Sequence, residues 1–302
     1  MLSGLVRALS RHASVLQSSV LKRTRIWPLL KSVPHDAVIL EIGAGYNPCY
    51  GKSRYPNTYH LDHCSTDELR NKYAADPNVA HPVHDIQPID FISTGTPIET
   101  VIPPGLKFDL IYGSHVLEHQ VDLIGHRQSL EKLLKPSGRV IEMIPDLSTC
   151  FDAFRYPSVT SDALLVHLKR PTIHQRKQVF DFLSRAIDKN YGHRMRDADF
   201  NGVRFRNNLQ HAYEAMLTSE RPSQPYTDIH AWTFTPQSFR LLMIELRLLG
   251  LIRLIPTYVS PPYGNQFCAV LERANQDITA MATEAMQGLK RERFAISKRL
   301  RV

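Results

Sequence analysis

The string SHVLEHQVD, residues 114–122, sets His115, Glu118 and His119 in the order H-x-x-E-H. Inverted zinc peptidases use that order to place two imidazoles one turn apart on a helix, where they bind zinc. Here the string follows directly on an apolar run, and helical spacing begins only at Leu123. Two other readings therefore stand beside zinc: a strand-to-helix turn with a hydrogen-bonded histidine, or histidines lining a cleft at strand ends. A second string, VILEIGAGYNP (38–48), ends an apolar run in Glu41 and turns on Gly43 and Gly45. Glycines there let the chain turn tightly and bring its N–H groups close to a ligand. The dinucleotide fingerprint needs a third glycine where this chain has Pro48, so a nucleotide-type ligand without a pyrophosphate, or an ordinary tight turn, fits best. Asp62 lies 21 residues after Glu41 at the next strand end, where an acid accepts hydrogen bonds from ribose hydroxyls. Asp85, one strand further, is placed to accept from an exocyclic adenine amine.

These residues need a frame whose strands end on one side. Apolar runs at VILEI, TYHLD (58–62) and FDLIYGS (108–114) alternate with helical spacing, which predicts a parallel α/β sheet. HPVHDI (81–86) reads as a weak third strand and GRVIEMIPD (138–146) as a fifth. Between the fourth and fifth, Leu123, Arg127, Leu130 and Leu134 share one helical face before the stop signals KPSG. FTPQSFRLLMIELRLLGL (234–251) predicts a helix ended by Gly250. LIRLIPTYV (251–259) and NQFCAVLERA (265–274) predict a closing antiparallel pair. Residues 147–229 break the alternation; their segments 173–190 and 205–219 look helical, as insertions that cap a substrate do. Residues 275–302 read as a basic helix or tail.

At 302 residues, with 43% hydrophobic and 22% charged residues, the chain has the composition of an ordinary globular protein. It lacks an apolar run long enough to cross a membrane. Four scattered cysteines exclude a C-x-x-C zinc site and suit a reducing, cytoplasmic setting. The net charge of +8 sits in the ends: residues 1–35 hold no acid and residues 290–302 hold Glu292 alone, so the middle is net negative. This excludes a basic nucleic-acid-binding body. The ends read as solvated helix, or as segments drawn to an anionic membrane surface at the inner face of the membrane. The acid-free leader also fits an organelle transit peptide.

The order VLEIGAG, HLD, FDLIYGSHVLEH and LLKPSGRVIEMIPD resembles the class I S-adenosylmethionine-dependent methyltransferases over roughly residues 36–274. It is especially similar to bacterial members whose sequences continue with FDAFR and DIHAWTFTPQSF, and which accompany sugar and cell-surface glycan synthesis. The resemblance implies a doubly wound, mostly parallel seven-stranded Rossmann-like sheet of the α/β class, with an antiparallel last strand and a helical insertion after strand 5. The leader 1–35 and the tail 275–302 lie outside the resemblance, which leaves three parts with the cofactor-binding domain at 36–274 and its cap at 147–229. By carry-over, Glu41, Gly43, Ala44 and Gly45 form the S-adenosylmethionine loop, Asp62 binds the ribose, Asp85 and Ile86 flank adenine, and Ser114 and His115 lie near the methionine end. No metal is implied for the chemistry.

Methyl transfer from a sulfonium is an in-line displacement, accelerated by positioning. An alcohol acceptor must also lose a proton, and histidine is the usual base near neutral pH. The candidates are His115, His119 and His230, the last with Asp228 two residues before it to orient it. Arg155 is a candidate for binding an anionic acceptor. The expected activity is O-methylation of a saccharide or related small molecule. The alternatives are a non-catalytic cofactor-binding module docked through its basic ends, and a zinc hydrolase using His115, Glu118 and His119. A nicotinamide enzyme is disfavoured by Pro48 and by the lack of a Tyr-x-x-x-Lys pair.

Overall fold

The computed structural model describes residues 30, 32–74, 86–188, 203–220, 227–273 and 278–299. Seven strands form one sheet: β1 (Ile39–Ile42), β2 (Thr58–Asp62), β3 (Phe91–Ile92), β4 (Phe108–Ser114), β5 (Leu134–Pro145), β6 (Leu254–Val259) and β7 (Gln266–Arg273). Their order is β3-β2-β1-β4-β5-β7-β6. The first five are mutually parallel, and β7 runs antiparallel to both β5 and β6. Seven strands, mostly parallel and with an antiparallel last strand, are what the sequence resemblance implies. The near-continuous burial of β1, β4 and β5 is what a parallel sheet covered on both faces requires.

One expectation about the strands lies mostly outside the described residues, and one is corrected. Among the described residues the third strand is Phe91–Ile92; it joins β2 through only the pairs Leu61↔Phe91 and Asp62↔Ile92, too short a run to show periodicity. Ile86 is buried but outside any strand, and 81–85, with the candidate Asp85, lie outside the described residues. The fifth strand begins at Leu134 and runs through KPSG, where its register against β4 slips between Phe108 and Leu110. A Cβ on Gly138 would stand 2.7 Å from the Phe108 carbonyl, so only glycine lets the strands close up there.

The helices are α1 (Thr66–Ala74), α2 (Leu123–Leu133), α3 (Thr160–Lys169), α4 (Arg176–Arg185), α5 (Leu209–Thr218), α6 (Pro236–Leu248) and α7 (Thr279–Arg299). Asp122 caps α2 by accepting from the Gly125 amide at 3.0 Å; Leu123, Arg127 and Leu130 of the face read from spacing are buried on it, whereas the fourth residue, Leu134, is buried as the first residue of β5. Thr235 caps α6, with Pro236 in its first turn. The insertion supplies α3, α4 and α5; α3 is an addition to the two helical segments expected. Leu30 and Val33 pack in a cluster with Tyr50, Tyr55 and Leu110, so the end of the leader lies on the body. Helix α7 seats Ala282 and Ala285 against Ile244 and Ile255. No helix among the described residues is long and apolar enough to cross a membrane.

One buried group of this frame sets a pH dependence. Burial, and the neighbouring Arg127, push the His126 imidazole down from 6.5 to about 3. A histidine kept neutral in the fold contributes stability that is complete above its unfolded value and is lost as pH falls below it. Between pH 6 and pH 4 the expected loss is about 1.4 kcal/mol per pH unit from this group. Urea unfolding at pH 7.5, 6 and 5 checks it: the curves of His126→Leu should shift less with pH than those of the parent.

Candidate functional site

Every candidate described lies at the carboxyl ends of β1, β2, β4 and β5 or on the segments that cover them. After β1 the chain turns on Gly43 (φ 67°) and Gly45 (φ 52°), in the left-handed region that favours glycine. A Cβ on Gly43 would stand 2.8 Å from Val116, so the loop and the turn after β4 meet at van der Waals contact. Glu41 is buried beneath the loop, and its carboxylate accepts from the Cys49 and Tyr50 amides at 2.6 and 2.9 Å. Both oxygens are thus engaged in holding the loop's far side, and Glu41 shapes the site rather than lining it. Ala44 is buried within the turn.

Asp62, at the tip of β2, leans over the same loop, with one oxygen 3.4 Å from the Gly45 amide. Its other oxygen accepts from the His63 amide at 2.8 Å and the His63 ring at 2.6 Å. Tyr73 closes the third side: its hydroxyl would be 3.2 Å from a Cβ on Gly45, and its ring meets Tyr46 edge-on. Burial first, and then the charge of Asp62, push the Tyr73 phenol up to about 12, so it remains a donor at neutral pH. Sequence reading missed both tyrosines; Tyr46, next to Gly45, was the available signal.

The turn after β4 bears the histidines. His115 follows the half-buried Ser114 and adopts φ 56°, unusual for a residue with a Cβ. Its amide donates to the Met143 carbonyl of β5 at 2.9 Å, and its Nε2 meets Gln266 Oε1 at 2.7 Å. A single 3-10 turn, Leu117–His119, carries Glu118 inward and His119 to the rim. The H-x-x-E-H string therefore has no helix under it, and the one-face geometry of the zinc peptidases is not formed. Instead the Glu118 carbonyl accepts from the Ala231 and Trp232 amides at 2.7 and 3.1 Å, which lays 228–232 against the turn and brings in His230.

The histidine partners differ from those expected. Asp228 pairs with His119 Nδ1 at 3.0 Å, and His230 Nδ1 instead donates to Asp152 at 2.5 Å. Asp228 sits exposed at the rim, whereas Asp152 is buried below the His230 ring. Burial lowers the His119 imidazole, but the Asp228 hydrogen bond and the Glu118 charge outweigh it and hold it above its usual value. The same bond keeps Asp228 down at about 2. Arg155 donates to Asp152 at 2.8 Å and to the His230 carbonyl at 2.7 Å, so its buried guanidinium positions this pair rather than presenting a free charge to an acceptor. Asp152 was not singled out as a candidate, since nothing in its spacing ties it to His230. A separate cavity of about 690 Å³ lies between α3 and α4, lined by Arg155, Lys169, Lys177 and Trp232 among others, and includes none of the strand-end candidates.

No family model matches the chain, and no curated protein does. Among solved structures, the mitomycin 7-O-methyltransferase MmcR is similar at 12% identity and TM-score 0.38, over 89% of this chain and 60% of that one. DhpI in complex with SAH is similar at 11% identity and TM-score 0.40, over 91% of this chain and 96% of that one. A putative zinc-dependent alcohol dehydrogenase of Rhodobacter sphaeroides is similar at 13% identity and TM-score 0.41, over 81% of this chain and 87% of that one. Likeness of this order carries no functional inference, and the fold rests on the strand order itself.

Proposed function

We propose that the chain is an S-adenosylmethionine-dependent methyltransferase acting on an oxygen of a small-molecule acceptor of the saccharide class, with His115 as general base. The observation that carries the cofactor is the meeting of the Gly43–Gly45 turn with Asp62, whose carboxylate reaches the Gly45 amide at 3.4 Å. It lies beside the point where strand order reverses between β1 and β4, where open α/β sheets bind ligands. One short turn with a carboxylate beside it suits a ribose and an amino-acid moiety. The acceptor class follows from the sequence resemblance.

His115 is assigned the proton for three reasons. It stands at the strand end beside Ser114; its side chain is 37% exposed, more than that of His119 or His230; and its backbone is held in an unfavourable conformation. Strained residues of this kind collect at functional sites. Gln266 holds Nε2, which leaves Nδ1 to receive a proton from the acceptor hydroxyl.

Calorimetric titration with S-adenosylmethionine, with NAD in parallel, tests the cofactor. Micromolar binding of the first alone is expected. Loss of a charged hydrogen-bond acceptor is worth about 1.5–3 kcal/mol, so Asp62→Ala should weaken it by roughly ten- to a hundredfold. Absence of binding, or affinity unaltered in Asp62→Ala, would overturn the reading. Release of S-adenosylhomocysteine with a panel of hydroxyl-bearing saccharides then separates an enzyme from a module that binds cofactor without consuming it.

A further inference from the structure

Glu118 presents an electrostatic problem that methyl transfer does not explain. The residue is 1% exposed, and neither carboxylate oxygen has a hydrogen-bond partner among the described residues. A carboxylate withdrawn from water costs several kcal/mol unless something compensates its charge. What faces it is imidazole nitrogen. Oε1 lies 3.7 Å from His119 Nε2 and 3.8 Å from His230 Nε2, and the three atoms lie within 4.8 Å of one another. These separations are too long for hydrogen bonds.

The far nitrogens decide which way the near ones are presented. His119 Nδ1 lies 3.0 Å from both the Ile229 carbonyl and an Asp228 oxygen, and His230 Nδ1 lies 2.5 Å from an Asp152 oxygen. All of these partners only accept, so each Nδ1 carries a proton, and a ring that holds no second proton turns the lone pair of Nε2 inward. Two nitrogens and a carboxylate oxygen converging in this way call for positive charge between them, which either a proton on a ring or a bound cation can supply.

We propose that Glu118, His119 and His230 form a binding site for a first-row divalent transition-metal ion of the zinc class, with Asp152 and Asp228 as the outer partners of its histidines. Bonds of about 2.1 Å at tetrahedral angles separate ligand atoms by about 3.4 Å, so the two measured separations need only a few tenths of an ångström of contraction. Histidine ligands regularly give their second nitrogen to a carboxylate or a carbonyl, as both do here. Two nitrogens and one oxygen leave coordination positions open. The ligand set differs from the H-x-x-E-H reading, because His230 replaces His115. The Nδ1 of His115 is 3.6 Å from the same Glu118 oxygen but stands outside the three-atom convergence. His115 thus remains available as a base.

The site adjoins the glycine loop, since Val116 of the same turn packs on Gly43. An open position on the ion would take an acceptor hydroxyl oxygen and ease its deprotonation. That consequence rests on the methyl-transfer reading; the site itself does not.

The test needs no cofactor. The full chain is stripped with a chelator, dialysed and titrated with Zn²⁺ by elemental analysis and with Co²⁺ by visible absorption. The expected result is one equivalent of either ion, with Co²⁺ bands free of thiolate charge transfer. Glu118→Gln and His230→Ala should lose stoichiometric uptake, and Asp152→Asn should weaken affinity about 10–100-fold. Circular dichroism confirms the fold of each variant. Should the Glu118 variant not fold, His119→Gln at the partly exposed rim carries the same test. Failure to bind a full equivalent at micromolar metal would overturn the proposal. So would uptake that survives in the ligand variants and disappears in His63→Ala, which would move the ion to the Asp62, His63 and Cys64 group.

Discussion

Replacing His115 by Asn should lower turnover by about 10²–10⁴-fold, the usual worth of a positioned general base, while S-adenosylmethionine affinity stays near that of the parent. Asparagine is the informative substitution because of the backbone. His115 sits at φ 56°, a conformation that costs most side chains on the order of 1 kcal/mol and that asparagine tolerates better than other non-glycine residues. Alanine would confound lost chemistry with a relaxed turn. With asparagine the amide bond to the Met143 carbonyl is kept, so Val116 stays against Gly43 and the cofactor loop keeps its wall. Release of S-adenosylhomocysteine is the readout for kcat, and calorimetry reads the affinity. A loss below tenfold would remove His115 from the role of base. Parallel loss of kcat and cofactor affinity would assign it to the loop instead.

The strands that position these groups were legible because each obeys one simple pattern. Val38 to Ile42 and Phe108 to Ser114 are apolar runs ending in glycine, serine or acid, as buried parallel strands must end where the chain reaches a cleft. The face of α2 was readable from Leu123, Arg127 and Leu130 for a similar reason: helical spacing does not depend on what the face meets. What escaped is long-range. Asp152, near the start of the insertion, and His230, just past its end, are partners 78 residues apart, and nothing in either neighbourhood encodes the pairing. Asp228, two residues from His230, was the nearer guess and bonds to His119 instead. The H-x-x-E-H string misled about its own geometry because its meaning depends on a helix, and the chain there makes one 3-10 turn. The strand Phe91–Ile92 went unread because two residues carry no period.

Arg127→Met should destabilise the protein by about 3–5 kcal/mol, the typical cost of leaving one half of a buried ion pair alone. The Arg127 side chain is fully buried on the sheet-facing side of α2, and its two terminal nitrogens each meet a Glu142 oxygen at 2.7 Å. Methionine approximates the arginine stem, so the expected loss comes from the unpaired carboxylate rather than from a cavity. Removing both charges tests that account: Arg127→Met with Glu142→Leu should recover most of the loss, since apolar replacement of a buried pair is often neutral. A double variant no better than the single one would show that the arginine stem, packed near the Phe239 ring, is what matters. Urea unfolding measures all three. The pair also bears on the site. Glu142 precedes Met143, whose carbonyl holds the His115 amide, and β5 lies between β4 and β7. An unpaired Glu142 drawn toward water would pull on the strand that fixes the left-handed turn of His115. The single variant should therefore lose turnover at temperatures where it is still folded, and the double variant should regain both.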